Sequence, residues 1–154
     1  MSMSGRCVMS NIENRISAAL ANGAEYLAMG EIAANTGLLV SQAPRNNANF
    51  DIIVNSHDLE KGCRVEVKHS RSGFKANIKG GDYDALVFIY HPCKIENGEI
   101  RYEKGSKREI YVFPVEIVQE NIKGKTGTNF NPKNIDGGCD KYRDAYFHIK
   151  EKCT

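Results

Sequence analysis

The chain has no apolar run approaching the roughly 20 residues that a membrane-spanning helix requires. Its first ten residues, MSMSGRCVMS, lack the apolar stretch of a secretory signal and read as a loose leader on a cytoplasmic protein. No two of the five cysteines (Cys7, Cys63, Cys93, Cys139, Cys153) form a C-x-x-C pair, and their number is odd. Neither a zinc ribbon nor a disulfide framework is indicated, and the cysteines read as free thiols in a reducing compartment. There is no internal repeat, no low-complexity segment and no large excess of either charge: the formal net charge is +2. Any nucleic-acid partner must therefore be met by locally concentrated positive charge. Gly124-Lys125-Thr126 lacks the upstream glycine of a Walker A loop, which removes nucleotide hydrolysis from consideration.

What is present is the composition of one folded domain. The 154 residues are 41% hydrophobic and 26% charged, enough to bury a real core. Ile12, Ile16, Leu20, Leu27 and Ile32 recur near helical spacing, and Asn22-Gly23 interrupts them. The pattern predicts one helix over 11–21 and a second over 23–35, stopped by Gly37. Short β-branched runs follow at 38–40, 50–54 and 64–68. Residues 84–90, Asp-Ala-Leu-Val-Phe-Ile-Tyr, are apolar on both sides and predict a strand in the middle of a sheet. His91-Pro92-Cys93 reads as the end of that strand rather than as a metal corner. The Asn97-Gly98 turn signal predicts a hairpin built from 100–102 and 108–113. Pro114 opens a helix to about residue 122, residues 123–141 form a Gly-, Asn- and Lys-rich loop, and 142–149 form a last strand. Helix, sheet and later helix together make an α/β fold, a central mixed sheet flanked by helices.

Glu66 and Lys68 stand two apart on a predicted strand and so emerge on one face, while Val65 and Val67 point into the core. Asp51 heads another apolar strand. Antiparallel pairing of the two strands through a turn at 55–63 brings Asp51 toward Glu66. Two carboxylates held together repel, and a divalent cation between them removes the repulsion. Oxygen-only ligands at this density suit Mg²⁺, which keeps several waters and a substrate phosphate. Lys68 beside that cation can stabilise the charge that develops when water attacks a phosphodiester. A carboxylate, any residue and Lys occur about once or twice by chance in a chain of ordinary composition. A cross-strand ion pair on a solvated face is therefore the competing reading. The context of the triplet, an apolar strand just downstream of an Asp at a strand start, favours the chemical one.

In this order the chain resembles the PD-(D/E)XK nuclease superfamily, the restriction-endonuclease-like fold. The resemblance covers residues 23–90: the helix Gly23–Ile32, the strand ending at Val40, Asn49–Val54, Arg64–Ser70 and the strand Asp84–Tyr90. It implies that Asp51 and Glu66 bind the metal and that Lys68 assists the attacking water. It also implies a supporting Glu on the first helix, for which Glu25 fits best and Glu31 competes. Phe50 stands where the superfamily's name-giving proline would precede Asp51.

The resulting expectation is a Mg²⁺-dependent endonuclease, with Mn²⁺ able to substitute, cutting double-stranded DNA as a homodimer or higher homo-oligomer. The alternative is a nuclease-like fold that binds nucleic acid without cutting. Residues 11–95 would form the catalytic core and 96–154 the substrate-binding part. Phosphate contacts are expected from His69, Ser70, Arg71 and Lys75, where the chain leaves the active strand, and from Lys123 and Lys125 in the glycine-rich loop. Residues 97–113 are a candidate β-ribbon for a groove, and 123–141 a candidate clamp.

Overall fold

Six residues without a polar face, Ala-Leu-Val-Phe-Ile-Tyr, form the strand β5 (Ala85–Tyr90), and the first five are buried. Such a run can be covered only from both sides. In the computed structural model, which describes residues 3–44, 46, 49–78, 82–122 and 129–154 and side chains from residue 10 onward, that is where it lies. The main sheet also contains β1 (Leu39–Gln42), β2 (Ile52–Asn55), β3 (Gly62–Ser70) and β8 (Glu109–Pro114), in the order β1-β2-β3-β5-β8. Only β3 and β5 run parallel, so the sheet is mixed.

One face of the sheet carries the helices α1 (Met3–Thr36) and α3 (Phe147–Lys152). Ala24, Ala28 and Ile32, spaced by one helical turn, are buried there against Val65, Val67, Val87 and Val112. Small alanines let the helix approach closely, and each large apolar side chain such as Ile32 contributes about 1.5–3 kcal/mol through its burial. The opposite face packs the helix α2 (Val115–Ile122) and the short paired strands β4 (Ala76–Asn77) and β9 (Asn129–Phe130) over Leu86, Phe88, Tyr111 and Phe113. The hairpin β6 (Cys93–Glu96) and β7 (Glu99–Tyr102) stands apart as a two-stranded sheet touching α1. No helix among the described residues is long and apolar enough to cross a membrane.

The expected α/β core is present, with its N-terminal helix followed by strands, and several details differ. Residues 3–10 are helical, not a loose leader, and α1 continues through Asn22-Gly23 without a break. A mid-helix glycine costs only about 1 kcal/mol, less than the stripe from Ala24 to Ile32 returns. Gly37 does stop the helix, with φ +68° and its N–H donated to Ala33 O at 2.9 Å. Asn97 and Gly98 both have positive φ, +51° and +76°, so their tight turn joins 93–96 to 99–102. Residues 109–114 instead pair with β5, where their four central buried side chains are covered. The expected ribbon over 97–113 is thus divided between the hairpin and the main sheet.

The last strand expected over 142–149 is instead a bridge and a turn that lead into α3 at Phe147. Arg143 makes one isolated bridge to Tyr111, Asp144 then turns the chain with φ +51°, and Ala145, Ile149 and Cys153 are buried at four-residue spacing. The loop after α2 carries β9 and two 3₁₀ turns, Pro132–Asn134 and Asp140–Tyr142, among its described residues.

Candidate functional site

The register Ile52↔Val65 between β2 and β3, carried one residue further, sets Asp51 opposite Glu66. The backbone confirms the pairing, since Asp51 N–H donates to Val65 O at 2.9 Å. The Asp51 side chain then folds over β3, where its Oδ2 accepts the Val67 N–H at 2.7 Å. Glu66 and Lys68 flank Val67 on the same face as Leu86 and Phe88, and Lys68 Nζ lies 2.8 Å from Glu66 Oε1. Their side chains are only 16% and 32% exposed, which makes the pair part of a recess rather than a solvated surface bridge.

The electrostatics of this recess are frustrated. Burial pushes the Glu66 carboxyl above the ordinary carboxylate range. Its hydrogen bond to Lys68 opposes the shift, and the charge of Asp51, within hydrogen-bonding reach, adds to it. Glu25, on α1, is also raised, first by burial and then by Asp51; Gln42 and Lys68 pull the other way. Gln42 Nε2 donates to Glu25 Oε2 at 3.5 Å. The Lys68 ammonium thus acts on Glu66 and Glu25, and the charge of Asp51 acts on both against it. A cleft of about 470 Å³ opens beside them, lined by Asn22, Glu25, Tyr26, Gln42, Phe50 and Asp51.

No group of three or more His, Cys, Asp or Glu residues among the described ones is gathered tightly enough to hold a metal by itself. The carboxylates placed to hold a cation together with water and substrate oxygens are the pair Asp51 and Glu66. That suits Mg²⁺, which binds through one or two carboxylates and completes its shell with water and substrate oxygen. Asp51 keeps Oδ1 free of the Val67 bond, and the Asp51–Glu66 repulsion is what a cation would relieve.

The other expected site residues divide. Glu31 points elsewhere: Asn35 Nδ2 donates to its Oε2 at 3.3 Å, and its charge acts on Tyr146. Ser70 shares the face of Lys68, but it is buried and its hydroxyl donates to Gly73 O, closing the turn after β3. Lys75 is exposed beside Gly73. Arg71 is half-buried at the strand end, with its carbonyl accepting the Cys93 N–H at 3.1 Å. His69 lies on the opposite face of the sheet from Glu66 and Lys68, against α1. Lys123 and Lys125 lie outside the described residues.

Sequence reasoning passed over Asn22, Tyr26 and Gln42. Asn22 and Tyr26 were legible, since Asn22 stands three residues before Glu25 and four before Tyr26, the spacings that bring helical side chains together. Gln42 was not, because β1 runs two residues beyond its apolar stretch. Arg64 and Asp84 were also missed as partners. The guanidinium grips the Asp84 carboxylate through Nε at 3.1 Å and Nη2 at 3.0 Å, and Asp84 Oδ2 also accepts the Arg64 N–H at 2.8 Å. This clamp ties the start of β5 to β3 and so holds the strand that carries Glu66.

No protein-family model matches the chain, and no curated protein matches it. Among solved structures, the chain is similar to a bacterial homing endonuclease, I-Ssp6803I, at 18% identity and a TM-score of 0.48, over 87% of this chain and 88% of that one.

Proposed function

We propose that the chain is a divalent-metal-dependent endonuclease that hydrolyses phosphodiester bonds in double-stranded DNA. The observation that carries this reading is the convergence of Asp51, Glu66 and Lys68 in one half-buried recess beside an open cleft. A surface ion pair does not need a second carboxylate folded over it at a cost in repulsion.

Asp51 and Glu66 would hold Mg²⁺, with Mn²⁺ able to replace it. Bound there, the cation supplies Lewis-acid stabilisation of the negative charge that builds on the phosphate. The Val67 N–H fixes the orientation of Asp51, so the carboxylate does not have to be ordered when substrate arrives. Lys68, held by Glu66, directs its ammonium into the recess, where it hydrogen-bonds the attacking water and offsets the charge of the transition state. Glu25, facing Asp51 from the helix, is a positioning residue that orients water at the cleft mouth. The described residues form one such recess per chain, so cutting both strands calls for a homodimer or larger homo-oligomer.

The test is cleavage of supercoiled plasmid and of linear mixed-sequence DNA with Mg²⁺ or Mn²⁺, comparing wild type with Lys68→Ala. Metal-dependent cutting that falls by about 10²–10³-fold in the variant is expected. Undiminished cutting by Lys68→Ala, or no cutting of either DNA by folded wild type, would overturn the proposal.

A further inference from the structure

On the α1 side of the sheet, away from the carboxylates, a second cleft of about 230 Å³ opens between α1, the ends of β3 and β5, and the hairpin. Its floor is apolar, made by Leu20, Leu27 and Ile89. Its polar lining is all of one kind. His69 from β3 and His91 just after β5 lie on adjacent strands, joined where the His91 N–H donates to Ser70 O at 3.1 Å. The His91 ring stacks on Tyr102 of the hairpin, centroids 4.2 Å apart and 25° between planes. Arg108 completes the rim from the segment before β8.

Among the described residues no acidic side chain lines this cleft, and α1 contributes Ala19, Leu20, Gly23, Ala24 and Leu27 to it. The charges that act on the two imidazoles come from Arg71, Arg108 and His91. Burial, and then that positive surrounding, lowers the proton affinity of both histidines. A guanidinium and two imidazoles with no carboxylate beside them among the described residues offer an anion N–H donors and offer a cation no counter-charge. A guanidinium beside imidazoles matches a phosphate, which takes several charge-assisted hydrogen bonds at once. A water occupies about 30 Å³, so the cleft has room for a phosphate group and the first atoms of whatever carries it.

We propose that this cleft is a second phosphate-binding site, in which Arg108, His69 and His91 hold a phosphate group of a nucleic-acid backbone or of a free nucleotide. The site is separate from the Asp51–Glu66 recess, and its occupancy does not depend on the nuclease reading.

The test uses the full chain in EDTA, so that cleavage plays no part in the readout. Histidine side-chain NMR signals, assigned with single His→Gln variants, are followed while inorganic phosphate, a 5′-mononucleotide or a duplex oligonucleotide is added. The His69 and His91 signals should move saturably and their titration midpoints should rise, while His57 and His148 stay fixed. Arg108→Ala, a change at an exposed rim position, should weaken phosphate binding by about tenfold, as expected for one charge-assisted hydrogen bond. Tighter binding of the mononucleotide than of phosphate would support a free nucleotide as occupant. The same shifts with duplex, and no gain from the mononucleotide, would support the backbone. The proposal is overturned if none of the three probes moves His69 and His91, if all four histidines move alike, if Arg108→Ala binds as wild type does, or if, in a parallel titration without EDTA, Zn²⁺ alone saturates the pair while phosphate does not.

Discussion

The Asp51 carboxylate accepts the Val67 main-chain N–H at 2.7 Å, which anchors it between Glu66 and Lys68. This single bond fixes the Asp51 carboxylate over β3 rather than leaving it at the sheet edge. It holds a negative charge against Glu66, whose carboxyl is already raised by burial.

Asp51→Asn should therefore separate stability from function. The amide oxygen can still accept from Val67, and the charge that burdens Glu66 and Glu25 is gone. In EDTA the variant should melt at or above wild type, by about 2–4 °C for a gain of 1 kcal/mol in a chain of this size. Mg²⁺ should raise the melting temperature of wild type by mass action and leave the variant unmoved. Equal Mg²⁺ stabilisation of both proteins would remove Asp51 from the metal site.

The two helix glutamates are distinguishable. Glu25→Gln should lower cleavage or apparent Mg²⁺ affinity by about 10–100-fold, the range seen when groups supporting a metal site are lost. Glu31→Gln, bonded to Asn35 and remote from Asp51, should stay within about twofold. Steady-state cleavage against Mg²⁺ concentration reads both, and the reverse ranking would move the supporting role to Glu31.

The Arg64–Asp84 clamp predicts an acid-side loss of stability. Burial raises Asp84, but the Arg64 hydrogen bonds outweigh it and hold the carboxyl below its ordinary value of 3.8. A depressed folded value means the contribution is complete above that pH and disappears as pH falls through the lower one. Asp84→Asn should cost about 1–2 kcal/mol at pH 7, the lower part of the range for bonds to charged groups because the pair is partly exposed. Urea unfolding across pH should show the gap between wild type and variant closing below about pH 4. A gap independent of pH would mean the clamp is not electrostatic.

Ile149, fully buried on α3, tests the C-terminal helix. Ile149→Ala should cost about 2–5 kcal/mol, read as a lower urea midpoint at unchanged slope. A loss below about 0.5 kcal/mol would mean that this segment does not dock on the sheet.

Local periodicity made much of the core readable. The two-residue alternation of β3 set Glu66 and Lys68 on one face, and the unbroken apolar run of β5 could only be central. The same alternation should have separated His69 from Lys68, yet their adjacency in the chain drew them together. Asn97-Gly98 was rightly a turn, but a turn does not say which strands it joins. Residues 142–149 read as a strand because Tyr, Phe and Ile favour one locally, whereas the four-residue spacing of Ala145 and Ile149 was the truer signal.

The sequence by itself determined that Glu66 and Lys68 share one face of a strand, with an Asp at the head of the strand before it, because side-chain type and a period of two are properties of the chain alone. The tertiary structure decided what those residues meet. Glu25 faces Asp51 and Glu31 does not because six residues along a helix turn it well away from its starting face, and only the packed sheet fixes which face looks inward. The Asn22-Gly23 helix break yielded to burial of Ala24, Ala28 and Ile32 for the same reason: contacts distant in sequence outweigh a local preference of about 1 kcal/mol.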